Sequence, residues 1–249
     1  MGALHEGHLA LIRIAAAQCD IVVCSIFVNP TQFNDPVDFE KYPKTIETDI
    51  AKLESLKCDI LFLPDVKEMY PEKEDWHFDL GELEKVLEAK SRPGHYQGVT
   101  QIVKKLLDAV KPDHVFFGQK DFQQFLVIEK MVRRLRIHVK LIMCPIVRDH
   151  DGLALSSRNV RLSQEERQKA LALSQALRLT KKEFKKKTIQ QLKADSISFL
   201  EARGIKPDYF EICNAKNLEV VSGKRAAKLI VLVAAYVGET RLIDNLILT

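Results

Sequence analysis

Several short stretches of this 249-residue chain carry side chains suited to handling phosphate and carboxylate groups. The first is His5-Glu6-Gly7-His8. Imidazoles three residues apart share one face of a helix, and the free N–H groups of a helix start favour anions. There they can donate hydrogen bonds to phosphate oxygens as negative charge builds at an α-phosphorus. Gly7 leaves room for a phosphate or a purine against the backbone. The metalloprotease pattern HExxH needs histidines four apart, so this is a different motif. Two unrelated surface histidines are the plain alternative.

The second stretch is Asn29-Pro30-Thr31-Gln32-Phe33, directly after an apolar run. Gln32 donates and accepts at once, which suits a substrate bearing both hydroxyl and carboxylate. The alternative is a loop punctuated by Pro30. The third is Gly118-Gln119-Lys120-Asp121, with Gln124 on the same face as Asp121 one turn on. Lys120 is a compact charge able to neutralise phosphates. Asp121 can hold Mg²⁺, which binds through few carboxylates plus phosphates, or is merely favoured by the helix dipole. The fourth, Leu155-Ser156-Ser157-Arg158-Asn159, offers two hydroxyls and a guanidinium as a phosphate clamp, or is an ordinary loop string. A fifth, Arg92-Pro93-Gly94-His95-Tyr96-Gln97-Gly98-Val99, is a polar turn that shapes a substrate pocket or only caps the next helix.

These residues need a scaffold. Continuous apolar runs at Ile21–Val28, Asp59–Leu63, His114–Phe117 and Val139–Cys144 predict buried parallel strands. Amphipathic stretches at Leu9–Gln18, Thr45–Leu56, Val99–Val110 and Phe122–Leu135 predict helices between them, with Ile46, Ile50, Leu53 and Leu56 as the apolar face of the second. Such alternation implies an α/β fold with a Rossmann-like, doubly wound parallel sheet, whose ligand crevice lies at the carboxyl ends of the strands. Near Val147 the character changes. Helices over Ser163–Thr180 and Thr188–Arg203, then strands over Tyr209–Ile212 and Ala227–Tyr236, predict a smaller C-terminal α+β domain. The expected domains are 1–147 and 148–249.

Composition narrows the class. The chain is 46% hydrophobic and 29% charged, with a formal net charge of +4, too mild to argue for nucleic acid. Cys19, Cys24, Cys58, Cys144 and Cys213 are scattered and odd in number, which predicts reduced thiols, no zinc site and a cytoplasmic setting. No run is long enough to span a membrane. The Lys181–Lys187 run reads as a solvated helix end or a polyanion site; Phe184 is its lone aromatic, so base stacking is poorly supported.

Taken together and in this order, MGALHEGH, NPTQF, RPGHYQGV, GQKDFQQ, LSSRN and the late string Thr240–Asn245 resemble the pantothenate synthetase (pantoate–β-alanine ligase) family over the whole chain. The resemblance implies an HxGH nucleotidyltransferase domain closed over by a small C-terminal domain. It implies condensation of pantoate with β-alanine through a pantoyl adenylate, with ATP and Mg²⁺, in a homodimer, without nucleic acid or membrane. It assigns ATP contacts to Met1, Gly2, Ala3, Leu4, His5, Glu6, Gly7 and His8. Further ATP contacts fall to Gly118, Gln119, Lys120 and Asp121, to the Val147 backbone, and to Leu155, Ser156, Ser157 and Arg158 in a flexible clamp. His8 is the family's proposed proton donor, joined in catalysis by His5, Lys120, Ser156, Ser157 and Arg158. Gln32 and Gln124 would hold pantoate, with Gln32 also near β-alanine. Asp121 would face the metal. The rivals are another HxGH adenylyl or cytidylyl transferase, a copy that binds nucleotide without turnover, and an RNA-binding module.

In the family a strand and turn lead into the motif, which here starts at Met1. A central strand of about 5–6 residues contributes on the order of 10 kcal/mol by burial, against a domain stability of about 5–15 kcal/mol. The expectation is that the first strand is missing, that the natural protein is longer, and that residues 1–249 alone fold or work poorly.

Overall fold

The apolar runs become strands and the amphipathic stretches become helices. The computed structural model describes residues 1–34, 39–40, 42–224 and 228–249. Two units separate along the chain, Met1–Pro145 and Ile146–Thr249.

The first unit alternates helix and strand: α1 (Glu6–Ala16), β1 (Val23–Ser25), α2 (Ile46–Ser55), β2 (Ile60–Phe62), α3 (Val66–Met69), α4 (Leu87–Ser91), α5 (His95–Val110), β3 (His114–Gly118), α6 (Phe122–Arg134) and β4 (Lys140–Cys144). β1 pairs with β2 in parallel, Cys24 opposite Leu61. β3 pairs with β4 in parallel, from His114 opposite Lys140 to Gly118 opposite Cys144. The expected parallel strands are therefore present. Among the described residues they form two hydrogen-bonded pairs rather than one continuous ladder. On the edge of β1 turned away from β2, Met1 donates to the Ser25 carbonyl at 2.8 Å and accepts from the Phe27 N–H at 3.1 Å. That is the bonding pattern of a single parallel-ladder residue.

Burial departs from the sequence pattern in two places. Continuous apolar runs imply strands covered on both faces, yet Ile21, Ile60 and Leu63 are exposed and every residue of β3 is only half-buried. In α2 the buried residues are Asp49 and Leu53, while Ile46 is exposed. The reason is a hydrogen bond: the Asp49 carboxylate accepts the Leu4 N–H at 2.7 Å, and that demand outweighs apolar periodicity. Around it Leu4, Leu9, Ile12, Val22, Cys24, Ile26 and Leu53 form the core of this layer.

The second unit holds α7 (Gln164–Glu183) and α8 (Ile189–Glu201), each opened by a capping box, Ser163 with Glu166 and Thr188 with Gln191. Reciprocal caps of this kind satisfy two orphan backbone donors. Three antiparallel strands follow, β5 (Lys206–Asn214), β6 (Leu229–Val237) and β7 (Thr240–Ile247), in the order β5-β6-β7. Ala227, the expected start of the second strand, lies outside the described residues. β7 was not expected as a strand, because Arg241, Asp244 and Asn245 break its apolar alternation. Asp244 and Asn245 are nonetheless buried, and the Asp244 carboxylate holds Arg148 by two bonds of 2.6 and 2.9 Å. Leu173, Leu177, Leu200, Phe210, Ile212, Val231 and Val233 fill this unit's core. No helix among the described residues is long and apolar enough to cross a membrane.

Candidate active site

The two histidines meet at the start of α1. His5 is the N-cap, its Nδ1 accepting from the Gly7 N–H at 3.1 Å, while His8 Nδ1 accepts from the His5 N–H at 3.4 Å. This is a capping box built from imidazoles, with ring centroids 4.1 Å apart. Burial, then the Lys120 and Lys52 charges, lower His5 from 6.5 to about 4. Burial, then His5, the chain's amino group and both lysines, lower His8 from 6.5 to about 2. Both rings are therefore neutral near pH 7. With each Nδ1 engaged as an acceptor, the proton of each neutral ring sits on Nε2. The pair offers two N–H donors and carries no charge that Lys120 would repel.

The loop before them is over-determined. Ala3 sits at φ 48°, a left-handed conformation costing about 1–2 kcal/mol in a non-glycine residue. Leu4 is held on both backbone groups by one face of α2: Asp49 takes its N–H, and Lys52 Nζ donates to its carbonyl at 2.5 Å. Asp49 is fully buried, also accepts from the Thr45 hydroxyl at 3.2 Å, and among the described residues its Oδ2 has no hydrogen-bond partner. Sequence reasoning missed Asp49 and Lys52. The available signal was a carboxylate interrupting the apolar stripe of a helix.

Gln32 closes a 3₁₀ turn over Pro30–Gln32, capped by the Asn29 side chain. Buried Asn29 is the hub. Its Nδ2 donates to the Gly98 carbonyl at 3.1 Å, and its Oδ1 accepts from Tyr70 Oη at 2.7 Å and from Thr31 Oγ1 at 3.2 Å. Asn29 and Tyr70 are a second pair that sequence reasoning left unassigned. The Arg92–Val99 stretch does more than cap a helix: α5 starts at His95, four residues earlier than expected, after Gly94 at φ 78°.

Gly118 ends β3, Gln119–Asp121 forms a 3₁₀ turn, and α6 follows. Lys120 is close enough to lower both histidines, and Asp121 to raise His5, consistent with α1 packing beside β3. Asp121 makes no capping bond to the helix it precedes, so capping does not account for it. The adjacent glutamines differ. Gln123 is buried and holds the Glu88 N–H and the Leu83 and Val86 carbonyls at 2.8–3.0 Å. Gln124 is half-buried.

The remaining residues lie in the second unit. Val147 and Leu155 are hydrogen-bonded to one another, carbonyl to N–H, at 3.0 Å. Ser156 caps a 3₁₀ turn over Ser157–Arg161 by accepting the Arg158 N–H at 3.2 Å. Asn159 donates to the Ala154 carbonyl at 3.0 Å. Val160, in the same turn, is 79% exposed.

A family profile described as pantoate-beta-alanine ligase matches residues 1–247. A pantothenate synthetase from Thermotoga petrophila is 49% identical, covering 100% of this chain and 89% of its own length. One from Porphyromonas gingivalis is 45% identical, covering 99% and 88%. The crystal structure of the Thermus thermophilus enzyme superposes with a TM-score of 0.95 at 41% identity, covering 99% and 90%. That of the Francisella tularensis ligase, complexed with β,γ-ATP and β-alanine, gives 0.84 at 36% identity, covering 99% and 87%. With an imidazole pair on a capped helix and a family match along its length, the chain belongs to the pantoate–β-alanine ligases.

Proposed function

We propose that this enzyme joins pantoate to β-alanine in two steps using ATP. A pantoate carboxylate oxygen attacks the α-phosphorus, pyrophosphate leaves, and a mixed anhydride with AMP forms. The β-alanine amine then attacks the acyl carbon, loses a proton, and displaces AMP. The carboxylate alone is a poor electrophile; the anhydride supplies a good leaving group.

The observation that carries this reading is the neutral imidazole pair beside Lys120. His5 and His8 offer Nε2–H donors at a helix start, where charge building on the α-phosphate is stabilised most. Lys120 neutralises the departing pyrophosphate, with Gly118 and Gln119 lining the nucleotide. Gln32 and Gln124 hold pantoate, and Met1–Leu4 border ATP. Val147 and Leu155 contribute backbone contacts, and Ser156, Ser157 and Arg158 bind phosphate oxygens.

Among the described residues no group of three or more His, Cys, Asp or Glu could hold a metal. Mg²⁺ commonly binds through one carboxylate and substrate phosphates, and the exposed Asp121 carboxylate fits that demand. Once bound with ATP, the ion neutralises triphosphate charge. The reading includes a homodimer. Five unpaired cysteines support a reducing, cytoplasmic setting.

The test is pyrophosphate release by the purified chain with ATP and Mg²⁺, with and without pantoate, followed by β-alanine. Pantoate-dependent release and then pantothenate formation are expected. Release that ignores pantoate would mean another nucleotidyltransferase.

A further inference from the structure

The polar turn Arg92–Val99 has no role in the chemistry above, yet it grips the segment that carries Gln32. Hydrogen bonds between described residues join the two segments across the chain. Asn29 Nδ2 donates to the Gly98 carbonyl at 3.1 Å, and Asn34 Nδ2 donates to the Pro93 carbonyl. The Gln32 carbonyl accepts from His95 Nδ1 at 2.8 Å and from Arg92 Nη2 at 3.4 Å.

The His95 ring has its protonation fixed by its partners. A backbone carbonyl only accepts, so Nδ1 must carry the proton. A guanidinium only donates, and Arg92 Nη1 lies 3.1 Å from Nε2, so Nε2 must present its lone pair. The ring is thus a neutral Nδ1–H donor, buried and aimed at the Gln32 backbone. Gly98 completes the arrangement. A Cβ there would come within 2.8 Å of the Gln32 nitrogen and closer still to the Thr31 carbonyl. Real Cβ atoms do not approach backbone so tightly, so only glycine lets α5 seat against this turn.

We propose that His95 is a positioning residue for Gln32: through its Nδ1–H it fixes the turn that aims the Gln32 amide at the substrate. The proposal rests on the reading of Gln32 as a pantoate-binding side chain. His95 touches no substrate in this scheme. It acts by removing freedom from the turn, with Gly98 giving the space and Asn29 the second tether. The partners lie 63 positions apart in the chain, so α5 adds a long-range tether to a 3₁₀ turn that Asn29 and Pro30 already start locally.

The experiment compares His95→Ala, His95→Asn and His95→Gln in the full chain. An asparagine amide nitrogen stands where Nδ1 stood; a glutamine amide nitrogen stands nearer Nε2. His95→Ala and His95→Gln should lower kcat/KM for pantoate by up to about 100-fold, the scale set by an ångström of misplacement. The KM for ATP should stay within about twofold, since ground-state ATP contacts are untouched. His95→Asn should recover most of the loss. In ligand-free protein, hydrogen exchange at the Gln32 and Phe33 amides should speed up in His95→Ala and slow again in His95→Asn. A folded His95→Ala whose pantoate kcat/KM equals that of an active unaltered chain overturns the proposal, as does equal loss in all three variants. If the unaltered chain does not use pantoate, the functional reading fails instead, and the exchange data still decide whether His95 holds the turn.

Discussion

In the proposed mechanism the chemistry concentrates on two ring nitrogens. His8 is neutral, so its contribution is a hydrogen bond that strengthens as charge develops, and deleting such a donor typically costs about 100- to 1000-fold in rate. His8→Ala should therefore lose pantoate-dependent pyrophosphate release by that factor while the far-ultraviolet circular dichroism stays unchanged. Release at the original rate would remove His8 from the mechanism. The same neutrality has a cost in acid. Unfolded, each imidazole titrates near 6.5; folded, His5 does so near 4 and His8 near 2. Between those values the unfolded chain binds more protons, so stability rises with pH across the window. The contribution is complete above about 6.5 and is lost as the pH falls towards 4 and, for His8, towards 2. Melting temperature against pH should slope upward from 4 to 6.5, the span between the folded His5 value and the unfolded one, and His8→Gln should flatten that slope. An unchanged slope in the variant would mean that His8 is not the group responsible.

At the scale of elements, α2 acts as a bracket on the loop that presents the histidines. Asp49→Ala would leave the buried Leu4 N–H without its acceptor, a loss of about 1–3 kcal/mol, and would release the left-handed Ala3. A fall of about 2–4 °C in melting temperature for each kcal/mol is the expected scale; an unchanged melting curve would show that the loop holds itself. This bracket also marks the limit of what the sequence discloses. The helix over Thr45–Leu56 was legible from its apolar spacing, and HxGH, Gln32 and Lys120 stood out by residue type. Asp49 did not, because a single acid in an apolar stripe reads as an interruption until its partner, 45 residues away, is in place. Asn29 and His95 stood in stretches that drew notice but had no role of their own there, and Tyr70 was hidden, for the same reason: their meaning is a long-range hydrogen bond. β7 was obscured because its buried face carries Asp244. That carboxylate and Arg148 form a largely buried pair, and removing one partner of such a pair costs about 3–5 kcal/mol. Asp244→Ala should lower the denaturant midpoint of the β5–β7 sheet accordingly, read from its own amides; no shift would mean that Arg148 finds an equal partner elsewhere.

Across the whole molecule, the two units are built on opposite connection rules. In the second, β6 runs into β7 across Gly238 and Glu239, and Val237 pairs with Thr240. In the first, β1 cannot meet β2 until the entire stretch from Ile26 to Asp59 has crossed over, and β3 waits likewise for α6 before β4. Antiparallel neighbours need only a tight turn, whereas parallel ones need a crossover. Chain entropy must be surrendered before such distant pairings return anything, which slows them. The order of events during refolding follows. Amides of β6 and β7 should gain protection in pulse-labelled exchange before those of β1 and β2. The Gln32 turn, tethered to α5 across the chain, should be among the last segments to close. The unit that carries the imidazole pair would then be the slow one, and a refolding chain would complete its hairpin sheet before that pair is in place. Simultaneous protection of β1 and β6 would show that the crossovers impose no such delay.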